Sequence, residues 1–127
     1  NTEELRVLVT GADTPIDVED LRRNTVYGGY HEKDMAVQYF WEALSSLDQA
    51  SLKAFLRFVT SSPNPPLLGF SELNPKFAIR HAGDDITRLP TASTCVNLLK
   101  LPAYNSTAQC LEKLKYAIYS GAGFDLS

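Results

Sequence analysis

Apolar positions recur at helical spacing over two long stretches of this 127-residue chain. In residues 34–47, Val37, Phe40, Trp41, Leu44 and Leu47 fall on one face of a helix. In residues 51–60, Leu52, Phe55, Leu56 and Val59 repeat the pattern, with Asp48 or Ser51 as the cap. A short turn separates the two, which predicts that they pack side by side as a hairpin. A third helix is expected after Asn105 or Ser106. It turns Cys110 or Leu111, Leu114, Ala117 and Ile118 inward and stops at Gly121 and Gly123. A shorter helix over residues 17–24 starts on Asp17 and buries Val18 and Leu21. Residues 2–9 read as the end of another helix, broken by Gly11-Ala12-Asp13-Thr14-Pro15, the candidate linker.

The remaining pattern is of strands and turns. Residues 76–81 alternate, Phe77 and Ile79 against Lys76, Ala78 and Arg80, as a half-buried strand does. Residues 94–101 read as a second strand, ended by Pro102. Gly28-Gly29 and Gly83-Asp84-Asp85 mark turns, and three prolines exclude regular structure from residues 61–66. The sum is an α/β (α+β) domain, a small sheet with helices packed on it.

Composition narrows the function classes. A 44% hydrophobic fraction is enough for a single core. A net charge of −3 argues against nucleic acid as a partner, because phosphate binding needs clustered Lys and Arg. No apolar stretch approaches a membrane span, and no signal peptide opens the chain. An intracellular setting, cytoplasm and/or nucleus, is expected. The chain lacks an initiating Met and is expected to be cut from something longer. His31, His81, Cys95 and Cys110 show no zinc spacing, so neither a metal nor another cofactor is expected. Asn105-Ser106-Thr107 matches a glycosylation acceptor, but a loop or helix cap is the better reading.

Cys95 is the candidate nucleophile. It ends the polar segment Leu89-Pro90-Thr91-Ala92-Ser93-Thr94 and opens an apolar run. The alternative is a small apolar residue at a strand start, since unpaired cysteines are commonly buried. Cys110, mid-helix beside Leu111, reads as core. A cysteine protease needs a histidine base and an oxyanion motif, a phosphatase needs an arginine and glycines after the cysteine, and disulfide exchange favours C-x-x-C. Thioester exchange asks only for exposure, some thiolate and good docking.

The residues carry a resemblance. Ile16-Asp17-Val18-Glu19-Asp20-Leu21, Phe40-Trp41, Phe58-Val59-Thr60, Gly69-Phe70, Leu89-Pro90 with Thr94-Cys95, Leu101-Pro102 with Tyr104, and Gly123-Phe124 occur in one order along nearly the whole chain. In this the chain resembles the C-terminal lobe of HECT-type ubiquitin ligases. The resemblance implies that residues 1–10 end an N-terminal lobe, 11–13 form the inter-lobe hinge and 14–127 form the catalytic lobe. It implies that Cys95 accepts ubiquitin as a thioester from a ubiquitin-conjugating enzyme and passes it to a lysine of a protein substrate. Thr94 then helps position the sulfur. Leu89, Ser93 and Asn97 contact the ubiquitin tail, which is expected to lie extended along a strand edge near residues 94–97. Phe124 supports ligation from a short mobile tail, and Asp125 orients or deprotonates the acceptor lysine. Phe124 read by itself could equally close the last helix. Ser93 stands where many members carry His, and Val96 where many carry Phe. Without its N-terminal lobe the chain is expected to be a poor ligase, and the competing reading is a non-catalytic module that binds ubiquitin or another partner.

Overall fold

Among the described residues, side-chain caps set where three of the four helices begin. Asp17 accepts from the backbone N–H groups of Glu19 and Asp20 at the start of α1 (Val18–Arg23). Asp34 precedes α2 (Met35–Ser45) and reaches back to the His31 N–H at 2.8 Å instead of capping forward. Asp48 accepts from the Ser51 N–H at 2.8 Å and starts α3 (Gln49–Thr60). Ser106 takes the Gln109 N–H at 3.1 Å while the Gln109 side chain takes the Asn105 N–H at 2.8 Å, closing the first turn of α4 (Thr107–Ser120) from both sides. The computed structural model describes residues 14–120 and the backbone of residues 124–125. The expected helix end over residues 2–9 and the linker at 11–13 lie outside the described residues.

Five short strands make one mixed sheet in the order β1-β2-β4-β3-β5. They are β1 (Val26–Gly28), β2 (Ala78–His81), β3 (Thr91–Ser93), β4 (Leu98–Leu101) and β5 (Phe124–Asp125). The pairs β1–β2 and β2–β4 are parallel, and β3 runs antiparallel to β4. Tyr27, Ile79, Leu99 and Ala92 stand in one register row across four strands. Ile79, Leu99 and Ala92 are fully buried, so this row faces the core.

Aromatic side chains fill the space between that row and the helices. Phe40 and Trp41 meet edge to face at 4.9 Å, Trp41 and Phe77 at 6.4 Å, and Phe55 and Phe77 at 5.9 Å between ring centroids. The buried indole N–H of Trp41 donates to the Tyr27 hydroxyl at 3.1 Å, so the largest core side chain keeps its polar atom satisfied.

Four local expectations change. α2 and α3 do not lie side by side: their rings touch, Phe40 to Phe55 at 6.0 Å, but the backbone of α2 runs closest to α4. Both of those helices bury small residues, Ala43 on α2 and Cys110 and Ala117 on α4, which permits a close approach. The strand expected over residues 94–101 is broken, because the chain makes a 3₁₀ turn at Thr94–Val96 and Asn97 takes a left-handed conformation before β4 begins. Gly28 belongs to strand β1, leaving Gly29 as the turn residue with φ 77°. The tail expected to be free instead pairs its backbone at residues 124–125 in parallel with β3.

Candidate functional site

The site is the tip of the β3–β4 hairpin. Ser93 pairs with Leu98, and residues 94–97 make the whole reversal between the strands. A reversal this short forces one residue into the left-handed region, and Asn tolerates it better than most side chains. Asn97 takes that role at φ 53° and ψ 44°. Its Nδ2 donates to the Pro75 carbonyl at 2.7 Å, and its own carbonyl accepts from the Ala78 N–H at 3.0 Å. Asn97 thus ties the tip to the segment entering β2. α3 packs against the Thr94–Val96 turn from beneath. With both supports in place, the turn exposes Cys95 while its neighbour Asn97 stays buried.

Two tyrosines, Tyr104 buried and Tyr30 half-buried, hold the approach to this hairpin. The Tyr104 hydroxyl donates to the Arg88 carbonyl, joining the exit of β4 to the loop that leads into β3. The Tyr30 hydroxyl donates to the Leu101 carbonyl at 2.7 Å at the end of β4. Burial pushes both phenols well above their ordinary range, so they remain donors across neutral pH. A third tie lies further off. The Asp20 carboxylate accepts from the Phe70 N–H at 2.8 Å, and a Cβ on Gly69 would come within 3.1 Å of it. Two separate parts of the ordered motif set, residues 16–21 and 69–70, thus meet in space.

Leu89 is half-buried against the core, and Ser93 is buried with 6% exposure. Thr94 is half-buried beside the exposed Cys95. The backbone of Phe124 stands opposite Ala92 and that of Asp125 opposite Ser93, the last residue before the turn. The tail residues and the cysteine, some thirty positions apart in sequence, are therefore brought to one edge. The strand edge expected near residues 94–97 is a turn instead, and the neighbouring edge of β3 carries residues 124–125. Asn97, expected to contact a ligand, has its side chain committed to Pro75.

The second cysteine behaves differently. Cys110 is buried, and burial pushes its thiol up to about 12, so it holds its proton at neutral pH. The histidines are engaged locally. His81 accepts from the Gly83 N–H at 2.9 Å and lies opposite Leu101, at the end of β4 remote from Leu98. His31 accepts from the Lys33 N–H at 3.1 Å. What the hairpin tip offers is an exposed thiol on a rigidly braced turn, suited to docking and exchange of an acyl group. Among the described residues no helix is long and apolar enough to cross a membrane.

A braced, exposed cysteine at the tip of a β-hairpin in an α/β lobe agrees with the ordered motifs. The family profile described as HECT-domain (ubiquitin-transferase) matches residues 1–127, and the chain belongs to that family. Among its relatives is the E3 ubiquitin-protein ligase HUL5 of Saccharomyces cerevisiae, 54% identical over 127 residues that cover 100% of this chain and 14% of that protein. The human ubiquitin-protein ligase E3B is 41% identical, covering 100% of this chain and 14% of its own length. The mouse E3 ubiquitin-protein ligase HUWE1 is 41% identical over 131 residues, 98% of this chain and 3% of that protein. The chain thus spans a small fraction of each relative it matches.

Proposed function

We propose that this chain is the C-terminal catalytic lobe of a HECT-type ubiquitin ligase, with residues 1–10 ending the N-terminal lobe, 11–13 serving as hinge and 14–127 forming the lobe. Cys95 is the ubiquitin acceptor. Its thiolate attacks the thioester carbonyl of ubiquitin carried by a conjugating enzyme, and the enzyme's cysteine leaves as thiolate. The bond broken and the bond formed are both thioesters, so the exchange is nearly balanced and needs no strong base. A substrate lysine, once deprotonated, then attacks the new thioester, forms an isopeptide bond and releases the Cys95 thiolate. The same sulfur faces first a donor and then an acceptor, which is the geometric need for the hinge. Thr94 and the turn behind it hold the sulfur. Leu89 and Ser93 border the path of the ubiquitin tail, and a strand added at the edge of β3 has to displace residues 124–125. Phe124 and Asp125 act on the transfer to lysine.

The observation that carries this reading is the exposure of Cys95 on a turn braced by Asn97 and α3, while Cys110 is sealed in the core. The test uses the full-length parent protein with charged conjugating enzyme. A reductant-sensitive ubiquitin adduct is expected, and Cys95→Ala should abolish it without changing the thermal melt. An adduct that persists in Cys95→Ala refutes the assignment. If no adduct forms in the wild type under these conditions, the lobe is a binding module instead. Deleting residues 124–127 should slow transfer to lysine and spare the adduct. Equal loss of both steps would mean that the tail only supports the fold.

A further inference from the structure

Lys76 is held beside the turn that carries Cys95. The Asn97 side chain donates to the Pro75 carbonyl at 2.7 Å, and the Asn97 carbonyl accepts from the Ala78 N–H at 3.0 Å. Lys76 lies between those two tied residues, and Asn97 follows Cys95 by two positions. Chains paired in this way run about 4.8 Å apart, and two residues of a 3₁₀ turn advance about 4 Å. The Cα atoms of Lys76 and Cys95 are therefore within about 10 Å of each other. A lysine stem spans about 6 Å to its nitrogen, and an acyl group on a cysteine sulfur sets its carbonyl carbon about 4 Å from the Cα, so the two can meet. Both side chains also share the solvent side. Phe77 is buried, so its neighbour Lys76 points away from the core, and Lys76 and Cys95 are exposed. The Lys76 Nζ stands 3.5 Å from the Ser71 carbonyl, at the long limit of a hydrogen bond, so swinging the stem costs little. The strand order β2-β4-β3 puts the segment entering β2 on one flank of the hairpin tip and the outer edge of β3 on the other. Lys76 thus comes to the sulfur from the flank opposite the path along β3. Other lysines have other surroundings. Lys53 donates to the Thr14 carbonyl at 3.4 Å, Lys113 to the Thr87 carbonyl at 3.3 Å, and Lys100 lies opposite Thr91, four residues before the cysteine.

We propose that Lys76 is an acceptor built into the lobe, a modification site that takes the acyl group carried on Cys95. Its amine gives up a proton to water and attacks the thioester carbonyl. The N–C bond of an amide forms, the C–S bond breaks, and Cys95 leaves as thiolate. Proximity within one chain makes the step unimolecular, so it needs no docked partner. Given the ubiquitin-transfer reading, on which this clause rests, the acyl group is ubiquitin, and self-modification at Lys76 discharges the lobe when no substrate lysine is presented.

The test has two arms. In the first, this chain is treated with the N-acetylglycine thioester of mercaptoethanesulfonate, whose acyl group exchanges onto exposed thiols, and the product is mapped by mass spectrometry. Acetylglycyl amide should accumulate on Lys76 ahead of every other lysine, and Cys95→Ala should cut that labelling roughly tenfold. Labelling spread evenly over the lysines, or unchanged in Cys95→Ala, overturns the proposal. In the second arm, the full-length parent is charged with lysine-free ubiquitin and chased without substrate. The reductant-sensitive adduct should convert to a reductant-resistant one that maps to Lys76, at a rate independent of protein concentration. Lys76→Arg should slow this conversion about fivefold or more, with thioester formation, discharge to free lysine and the thermal melt unchanged. Conversion that maps to other lysines, or that Lys76→Arg does not slow, overturns the proposal and leaves the transfer reading intact. A wild-type parent that forms no adduct removes the transfer reading, and the first arm then decides by itself whether Lys76 accepts from Cys95.

Discussion

Three substitutions at Asn97 dissect the turn that presents Cys95. Asn97 is buried, with 7% exposure, at φ 53°, and donates to the Pro75 carbonyl at 2.7 Å. The left-handed conformation costs an ordinary L residue about 1–2 kcal/mol, and Asn or Gly less. The hydrogen bond contributes about 1 kcal/mol net. Pro75 is exposed, so water can reach its carbonyl after the loss. Asn97→Gly keeps the conformation and loses the bond, for a destabilisation of about 1 kcal/mol. Asn97→Ala loses both contributions, about 2–3 kcal/mol. Asn97→Asp keeps the shape but sets a carboxylate oxygen against a carbonyl, so it should cost at least as much as glycine. The assay is urea unfolding followed through Trp41, the one tryptophan and a buried one, with alkylation of Cys95 timed in the folded state. An alanine variant as stable as the glycine variant would refute the conformational part. An aspartate variant matching wild type would refute the hydrogen-bond part.

Other outcomes follow from burial and strain. Phe55→Ala removes a ring that touches both Phe40 and Phe77 and should cost about 3–5 kcal/mol in urea unfolding; a loss under 1 kcal/mol would contradict the shared core. Gly69→Ala forces a side chain into φ 103° and within 3.1 Å of Asp20, and should destabilise by about 1–3 kcal/mol in the same assay. Burial raises the Cys110 thiol from 9.0 to about 12, so the unfolded chain releases that proton first as pH rises. Its contribution to stability is complete below pH 9.0 and is lost as pH rises toward about 12. Cys110→Ala should flatten this decline in unfolding curves taken across pH, and an unchanged slope would show that the group is not buried in solution.

Much of the local structure was legible because its causes are local. Asp17 and Asp48 cap where caps were expected, and the buried faces of α2 and α3 are those the apolar spacing gives. Residues 76–81, which include strand β2, show their alternation, with Phe77 and Ile79 buried and Lys76 and Arg80 exposed. Strand β1 left little trace: three residues ending in a glycine are too few for a period, and only pairing with β2 defines them. The break after Ser93 was hidden as well, since the run through Val96, Leu98 and Leu99 reads as continuous strand until Asn97 reverses it. At the site, the candidate cysteine was legible as the thiol at the end of a polar segment, but the burial of its neighbours was not. Ser93 sits in the polar segment and Asn97 in the apolar run after it, yet both polar side chains are buried, and the Asn97 side chain serves the turn.

The order of residues by itself determined the helices, their caps, the family and which thiol is the candidate, because each depends on spacing along one stretch of chain. Tertiary structure alone decided that α2 lies along α4, that the tail backbone runs beside β3, and that the segment carrying Lys76 flanks the turn of Cys95. The contrast between the two cysteines, expected from their sequence surroundings, holds in the fold, with Cys95 exposed and Cys110 buried. Contacts between distant segments form when the whole core closes, and no local period records which faces will then meet.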